Sequence, residues 1–139
     1  MPDLQTLQQI ESRLALATDA GDWAGFRACF TADAQADYGA LGAGAIEEIL
    51  AAIQTSQARY AGTMNVVGTH VARVDGDRGH AETYVVSHHF RSADGESWDD
   101  QAGTHYLDEF VRGPKGWQIA RREARLLWFR SDLVIGGWQ

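Results

Sequence analysis

The sequence has little cysteine, little proline and few basic residues. Cys29 is the single cysteine among 139 residues, which excludes an internal disulfide and a thiolate metal cluster. Pro2 and Pro114 are the two prolines, and no proline-, serine- or glycine-rich linker divides the chain. The 12 basic and 19 acidic residues give a net charge of −7, which repels phosphate backbones. We therefore expect one domain over residues 1–139 and no nucleic-acid partner.

Long hydrophobic runs are also missing. No apolar segment approaches the ~20 residues that span a bilayer, and the N-terminus lacks the basic and then apolar pattern of a signal peptide. Apolar residues make up 45% and charged residues 22% of the chain, an ordinary composition for a folded protein. These features predict a soluble, cytoplasmic domain with no membrane partner.

The first half of the chain has helical periodicity. Apolar residues recur at steps of three and four over residues 4–17, and Gly21 follows as a stop signal. Asp22 is a candidate N-cap for a second helix over residues 23–30. A third apolar stripe predicts a helix over residues 45–61.

The second half has the composition of β-strands. Segments rich in valine, threonine and aromatic residues alternate with Asp-Gly and Gly-Pro turns. The predicted strands are residues 34–38, 63–74, 80–91, 101–112 and 117–130. Residues 98–100 are assigned to a polar loop. The order α–α–β–α–β–β–β–β predicts an α+β fold in which long antiparallel strands curve around a pocket on the helical side.

Residues for metal or cofactor chemistry are not arranged in recognisable motifs. The five histidines show neither the His-Glu-x-x-His pattern nor zinc-finger spacing, and the chain has no glycine-rich phosphate loop and no Gly-x-Ser-x-Gly elbow. We therefore expect no metal and no cofactor. Asp19 is a candidate general base, because enclosure near a helix C-terminus raises the pKa of a carboxylate and makes it a stronger base. An exposed helix-end residue is the alternative.

Three segments resemble a known family. Residues 18–34, 74–89 and 116–122 are similar to the opening, the central hairpin and the final strand of SnoaL-like proteins of the nuclear transport factor 2-like superfamily. The resemblance is to the branch that contains scytalone dehydratase and hexachlorocyclohexane dehydrochlorinase. It implies a cone-shaped, cystatin-like fold with three N-terminal helices packed on a curved, mostly antiparallel sheet, and it implies a homodimer.

The resemblance implies catalytic roles for Asp19, His89 and Tyr38. Asp19 matches the family's base, which normally pairs with a histidine, and Asn65 stands at the position of that histidine. The usual Asp–His dyad is therefore absent. His89 matches a second family histidine, and His88 is the alternative because adjacent strand residues face opposite sides. Tyr38 matches a tyrosine that would hold a carbonyl oxygen or a water.

Substrate contacts are implied for Asn65, Arg122, His88, Leu14 and Trp23. Arg122 matches an arginine of dehydratase-like relatives and would stabilise an oxyanion or a leaving group. Leu14 stands where several relatives have a tyrosine or a lysine. Structural roles remain open as well: a half-buried strand histidine for His89, a sheet-edge aromatic for Tyr38, and a solvated strand arginine for Arg122.

The resemblance favours a cofactor-free lyase or isomerase that transfers protons on a small hydrophobic ring compound, such as a steroid, a polyketide or an aromatic. Asp19 would remove the proton, so Asp19→Asn is expected to abolish turnover with the fold intact. Two other functions remain open, since fold does not settle function. One is a non-catalytic binding or scaffold domain, and the other is the small subunit of an aromatic-ring hydroxylating dioxygenase.

Overall fold

A computed structural model describes residues 2–138 and has the predicted α+β order. Its elements are α1 (Pro2–Ala20), α2 (Trp23–Ala28), β1 (Phe30–Asp37), β2 (Ala43–Ala45), α3 (Ile46–Gln57), β3 (Gly62–Asp75), β4 (Arg78–Ala93), β5 (Glu96–Gly113) and β6 (Gly116–Leu133). The three-residue strand β2 and a short 3-10 helix (Gly39–Leu41) are additional, whereas the α-helices were predicted from apolar periodicity and the other strands from composition and turn signals. Within residues 2–138, no helix has the length and apolar character needed to cross a bilayer.

The strands form one six-stranded sheet in the order β2-β1-β6-β5-β4-β3. Strands β3 to β6 form an antiparallel meander and contain between 14 and 18 residues each. Strand β1 pairs with β6 in parallel, with Gln35 opposite Arg121, so the first strand of the chain lies next to the last. The sheet is therefore mostly antiparallel, as expected.

Helix α1 covers one face of the sheet, which we call the inner face. Leu7, Ile10 and Leu14 are buried on this side of the helix, as their spacing predicts. Helix α1 packs against β3, and α2 and α3 pack against β1. The core lies between the helices and the sheet, and Phe30 and Phe110 are each 1% exposed there. Burial of one phenylalanine ring contributes about 1.5–3 kcal/mol to the free energy of folding, and this stabilises the packing of the helices on the sheet.

The second and third helices end earlier than predicted. Helix α2 ends at Ala28, and α3 ends at Gln57, four residues before the predicted end. Beyond α3 the backbone turns, and the Ala61 amide donates to the Phe90 carbonyl oxygen of β4 at 2.7 Å. This hydrogen bond docks the segment onto the sheet, a tertiary contact that apolar periodicity does not encode.

The prediction of a polar loop at residues 98–100 is wrong. Strand β5 already begins two residues earlier, after a turn in which Asp94 and Gly95 have positive φ angles of 53° and 77°. Asp99 and Asp100 are only 6% and 7% exposed. They tolerate burial because their carboxylates accept hydrogen bonds from side chains of β4 and β6.

Candidate functional site

A cavity of about 190 Å³ lies between the helices and the inner face of the sheet. Its polar wall residues are Glu11, Thr18, Tyr38, Ser56, Gln57, Asn65, Ser87, His89, Thr104, Tyr106 and Arg122. Its apolar wall includes Leu14, Phe26, Ile53 and Val85. Five of the eight predicted site residues line it, namely Leu14, Tyr38, Asn65, His89 and Arg122. A concave space with both apolar walls and convergent polar groups is typical of a small-molecule site.

His89 is held in one tautomer at the wall of the cavity. Its Nδ1 lies 2.8 Å from the carbonyl oxygen of Asp100. A carbonyl oxygen only accepts hydrogen bonds, so Nδ1 carries the proton of the neutral ring and Nε2 keeps a lone pair. Within the described residues, Nε2 has no hydrogen-bond partner. The site therefore has a basic nitrogen that is free to act on a ligand.

Asp100 anchors the backbone that holds His89. Its carboxylate accepts hydrogen bonds from Arg91 Nε at 2.9 Å, Ser131 Oγ at 2.6 Å and the Tyr60 hydroxyl at 3.0 Å. These donors, the Arg91 guanidinium foremost, lower the pKa of Asp100 to about 2. The resulting stabilisation is present above the ordinary aspartate pKa of about 3.9 and is lost as the pH falls through about 2. The support beneath His89 thus stays intact throughout the neutral range.

Asp19 lies beside the cavity and not on its wall. Its Oδ1 accepts hydrogen bonds from Thr63 Oγ1 at 2.8 Å and Asn65 Nδ2 at 2.7 Å, and its Oδ2 accepts from the Asn65 backbone amide at 3.0 Å. Ser87 Oγ donates to Asn65 Oδ1 at 2.7 Å. A continuous chain of hydrogen bonds therefore runs from the end of α1 to two residues of the cavity wall. In this chain Asp19 fixes the orientation of Asn65.

Tyr38 and Tyr106 pack edge to face in the cavity wall, with ring centroids 6.0 Å apart. Arg122 Nη1 donates to the Tyr38 hydroxyl oxygen at 3.3 Å, so the Tyr38 proton remains free for a ligand. Burial is the main cause that raises the pKa of both phenols. Both therefore stay protonated at neutral pH, and Tyr38 is suited to donate a hydrogen bond.

Arg122 is buried, so the alternative of a solvated strand arginine is wrong. It is 3% exposed, and its guanidinium carbon lies 4.1 Å from the Tyr106 ring centroid. Asp108, directly opposite on β5, accepts from Nε and Nη2 at 2.8 Å each. Glu11 Oε2 accepts from Nη2 at 2.7 Å. Nη1 donates to the Tyr38 hydroxyl oxygen, so Arg122 is connected to Asp108, Glu11 and Tyr38, and the role in substrate binding expected for it stays a prediction.

Leu14, Trp23 and His88 lie in three different environments. Leu14 is on the cavity wall. Trp23 packs on Phe26 with ring centroids 6.1 Å apart and borders a separate surface depression next to Asp19. His88 lies on the outer face of the sheet, where its Nδ1 is 2.6 Å from a carboxylate oxygen of Asp99. Of the two adjacent histidines, His89 is thus the one at the cavity.

Sequence reasoning missed Glu11 and Asp108 as site residues, whereas the alternation of aromatic residues along the predicted strand already made Tyr106 a candidate for the pocket or a dimer face. Glu11 lies three residues before Leu14, so the helical period already places it on the buried stripe of α1. Asp108 alternates with Tyr106 and Phe110 along β5 and therefore shares their inward direction. A carboxyl group at an apolar position was the available signal in both cases, because such groups are rarely buried without a partner.

The groups on the cavity wall are suited to moving protons. They include a histidine nitrogen, phenol hydroxyls and a carboxyl group. Within residues 2–138, no three His, Cys, Asp or Glu side chains form a group suited to a metal ion. The expectation of a site without metal or cofactor stays a prediction.

Solved structures share this architecture. A scytalone dehydratase-like protein from Novosphingobium aromaticivorans is 15% identical, with a TM-score of 0.80 over 91% of this chain and 85% of that one. An NTF2-like protein with a cystatin-like fold from the same species is 25% identical, with a TM-score of 0.77 over 91% and 82%. A type-3 hexachlorocyclohexane dehydrochlorinase from Novosphingobium barchaimii is 15% identical, with a TM-score of 0.76 over 94% and 88%. These similarities confirm the nuclear transport factor 2-like fold.

Sequence comparison defines the family. No curated protein matches the chain. The family model of the SnoaL-like domain, by contrast, matches residues 1–123 of the 139. The match includes all three helices and most of the meander, and it confirms the resemblance noted in the sequence. The chain belongs to the SnoaL-like domain family.

Proposed function

We propose that this protein is a cofactor-free lyase or isomerase that moves a proton on a hydrophobic ring compound. His89 carries the proposal, because its Nδ1 proton is committed to the Asp100 carbonyl oxygen and Nε2 is left as a base at the cavity. The dehydratase-like and dehydrochlorinase relatives support elimination chemistry on this fold. Proton transfer by a positioned histidine requires neither a metal nor a cofactor.

Tyr38 supplies the complementary hydrogen bond. Its hydroxyl oxygen accepts from Arg122, so its own proton is available to a substrate oxygen on which negative charge develops. The guanidinium polarises the phenol and strengthens it as a donor. Asn65 and Ser87, linked to each other by a hydrogen bond of 2.7 Å, add fixed polar groups to the wall. The substrate would thus lie between a base and a donor.

The cavity volume restricts the substrate. At about 190 Å³ the cavity is slightly larger than a buried cavity of ~150 Å³ that holds benzene. One substituted ring fits this space better than the four fused rings of a steroid. We therefore infer a single-ring substrate from among the hydrophobic ring compounds that the family resemblance implies.

Exchange of carbon-bound hydrogen tests the proposed function. Purified protein is incubated in D2O with a panel of single-ring ketones, and NMR follows the signal of the proton next to the carbonyl. We expect exchange or elimination faster than in buffer, without added metal or cofactor. A non-catalytic binding domain, which Asn65 at the position of the dyad histidine favours, would bind the ketones and return them unchanged. Recovery of every ketone undeuterated would contradict the proposal.

We further propose that Asp19 positions Asn65 and is not the base. Asp19→Asn keeps an oxygen for the Thr63 hydroxyl but sets an amide NH2 against the backbone N–H of Asn65. The expected loss in kcat is about tenfold, which corresponds to one hydrogen bond. A loss of 10²–10⁴-fold, the size of general base catalysis, would instead identify Asp19 as the base.

The association state and location of the protein stay predictions. Met64, Val66, Val71 and Tyr84 on the outer face of the sheet are between 46% and 68% exposed. This apolar surface supports the expected homodimer, which light scattering of the purified protein measures directly.

The dioxygenase alternative predicts a larger iron–sulfur subunit that copurifies with this chain. The cytoplasmic location is a separate prediction, and fractionation of the source cells tests it.

A further inference from the structure

Two carboxyl groups and one cation are buried together between α1 and the sheet. Glu11, Asp108 and Arg122 are 2%, 0% and 3% exposed. Arg122 Nη2 lies 2.7 Å from Glu11 Oε2 and 2.8 Å from Asp108 Oδ2. With both carboxyl groups ionised, the cluster would hold a net negative charge away from water, which is costly. One bound proton makes the cluster neutral.

The hydrogen bonds assign this proton to Glu11. Asp108 uses both oxygens on the guanidinium, at 2.8 Å each, which is the two-point pairing of an ionised carboxylate. Glu11 uses only Oε2, and its Oε1 is buried with no hydrogen-bond partner in the described part of the chain. Burial, the largest cause, raises the pKa of Glu11 well above its ordinary value; Arg122 opposes this shift and Asp108 reinforces it.

Glu11 lies on the wall of the same cavity as His89. The residues three, four and seven positions further along α1, which are Leu14, Ala15 and Thr18, line the cavity with it. The unpartnered Oε1 therefore belongs to a side chain that borders the ligand space. In its protonated form Glu11 is a hydrogen-bond donor on the cavity wall, whereas His89 has an acceptor nitrogen on the same wall.

We propose that Glu11 is a catalytic acid, present as a neutral carboxylic acid, that protonates an oxygen leaving group of the substrate. The proposal rests on the proposed function, in which His89 is the base. His89 Nε2 takes a proton from carbon, the C–H electron pair forms a C=C bond, and the adjacent C–O bond breaks. The hydroxyl leaves as water with the Glu11 proton, and solvent then takes one proton from His89 and returns one to Glu11. The substrate class is a single-ring compound with a hydroxyl group β to a carbonyl.

The other titratable groups near the cluster are uncharged at neutral pH. They are Tyr38 after β1, Tyr106 on β5, His70 on β3 and Cys29 after α2. Burial raises the pKa of the two phenols and of the thiol, and burial lowers the pKa of the imidazole. The charge of the cluster is therefore set by Arg122, Asp108 and Glu11.

Infrared spectroscopy of the protein in D2O at pH 7 tests the protonation state. We expect a band of a protonated carboxyl group in the wild type that is lost in Glu11→Gln. Glu109→Gln is the matched control, since Glu109 is exposed on the same strand as Asp108 and its replacement should keep the band. The absence of the band from the wild type, or its survival in Glu11→Gln, would overturn the proposal. If Glu11→Gln does not fold, the wild type labelled with ¹³C-glutamate shows by NMR whether one carboxyl group stays protonated.

The protonation also has a thermodynamic signature. Because the folded-state pKa of Glu11 is raised, its stabilising contribution is complete below the unfolded glutamate pKa of about 4.3 and is lost as the pH rises through the folded value. Glu11→Gln has no such loss. The stability of the variant relative to wild type should therefore increase with pH above about 4.3, by at most about tenfold in the unfolding constant per pH unit. A difference that does not change with pH would contradict a protonated Glu11.

A matched pair of substrates tests the acid role. β-Hydroxycyclohexanone needs a proton on its leaving oxygen, whereas β-chlorocyclohexanone loses chloride without one. Glu11→Gln should slow the loss of water at least about tenfold more than the loss of chloride. Equal slowing would overturn the acid role. Failure of the wild type on both compounds would count against the proposed function, and the infrared band would still decide the protonation of Glu11.

Discussion

Replacing His89 with asparagine is expected to slow turnover by about 10²–10⁴-fold, the range that general base catalysis contributes. The side-chain amide nitrogen of asparagine takes the place of Nδ1, so the hydrogen bond of 2.8 Å to the Asp100 carbonyl oxygen can be kept. What it lacks is a nitrogen that accepts a proton. The loss should therefore fall on kcat, with little change in Tm, and steady-state kinetics together with thermal unfolding measure the two effects.

The matched control is His105→Gln. His105 lies on the outer face of the sheet, with its Nε2 3.0 Å from Glu82, and it does not line the cavity. Its replacement should leave kcat within about twofold of wild type, a difference of under about 0.5 kcal/mol. Equal turnover by the two variants would remove His89 from the mechanism and favour a binding domain.

Replacing Arg122 with methionine is expected to destabilise the fold by about 3–5 kcal/mol, the usual cost of removing one partner of a buried ion pair. Asp108 and Glu11 lose their shared cation while they remain buried at 0% and 2% exposure. For a chain of this length the corresponding decrease in Tm is roughly 10–20 °C. Chemical and thermal unfolding give the two numbers independently.

Two further variants separate charge from packing. Arg121→Met, at the exposed neighbouring position, should change stability by no more than about 0.5 kcal/mol. Adding Asp108→Leu and Glu11→Leu to Arg122→Met should recover most of the loss, because no unpaired charge is then buried. If Arg122→Met alone loses less than about 1 kcal/mol, the guanidinium behaves as an exposed ion-pair partner and the buried cluster is refuted.

The fold was predictable because its signals are local. The spacing of Leu7, Ile10 and Leu14 defines the buried side of α1 without knowledge of any other element. Asp75-Gly76 and Asp94-Gly95 mark two of the turns of the meander by the backbone conformation they favour. Such local preferences determine the order of helices and strands.

The site was less predictable because its polar residues depend on partners that are distant in sequence. Asp99 and Asp100 look like loop residues until the partners on β4 and β6 that allow their burial are known. Arg122 is buried because it lies opposite Asp108. The pairing of β5 with β6 contains register shifts, so counting residues outward from the turn between these strands does not place Arg122 opposite Asp108. The sequence shows Glu11 as a carboxyl group on an apolar stripe. Its contact with Arg122, which suggests a function, is known only from the structure.

Because β1 pairs with β6, the sheet can be completed only after the last strand of the chain has been synthesised. Phe30 pairs with Ile119, and the bond from Arg122 to Glu11 joins residues 111 positions apart. A growing chain emerges from the ribosome N-terminus first, so α1 and β1 are released long before the strand that covers them. Closing such long loops is slow, and until it happens Glu11 on the apolar stripe of α1 lacks its partner Arg122. Arg122 is the last residue along the chain that lines the cavity, so truncation before Arg122 should leave the cavity wall incomplete even though most of the chain has already been made.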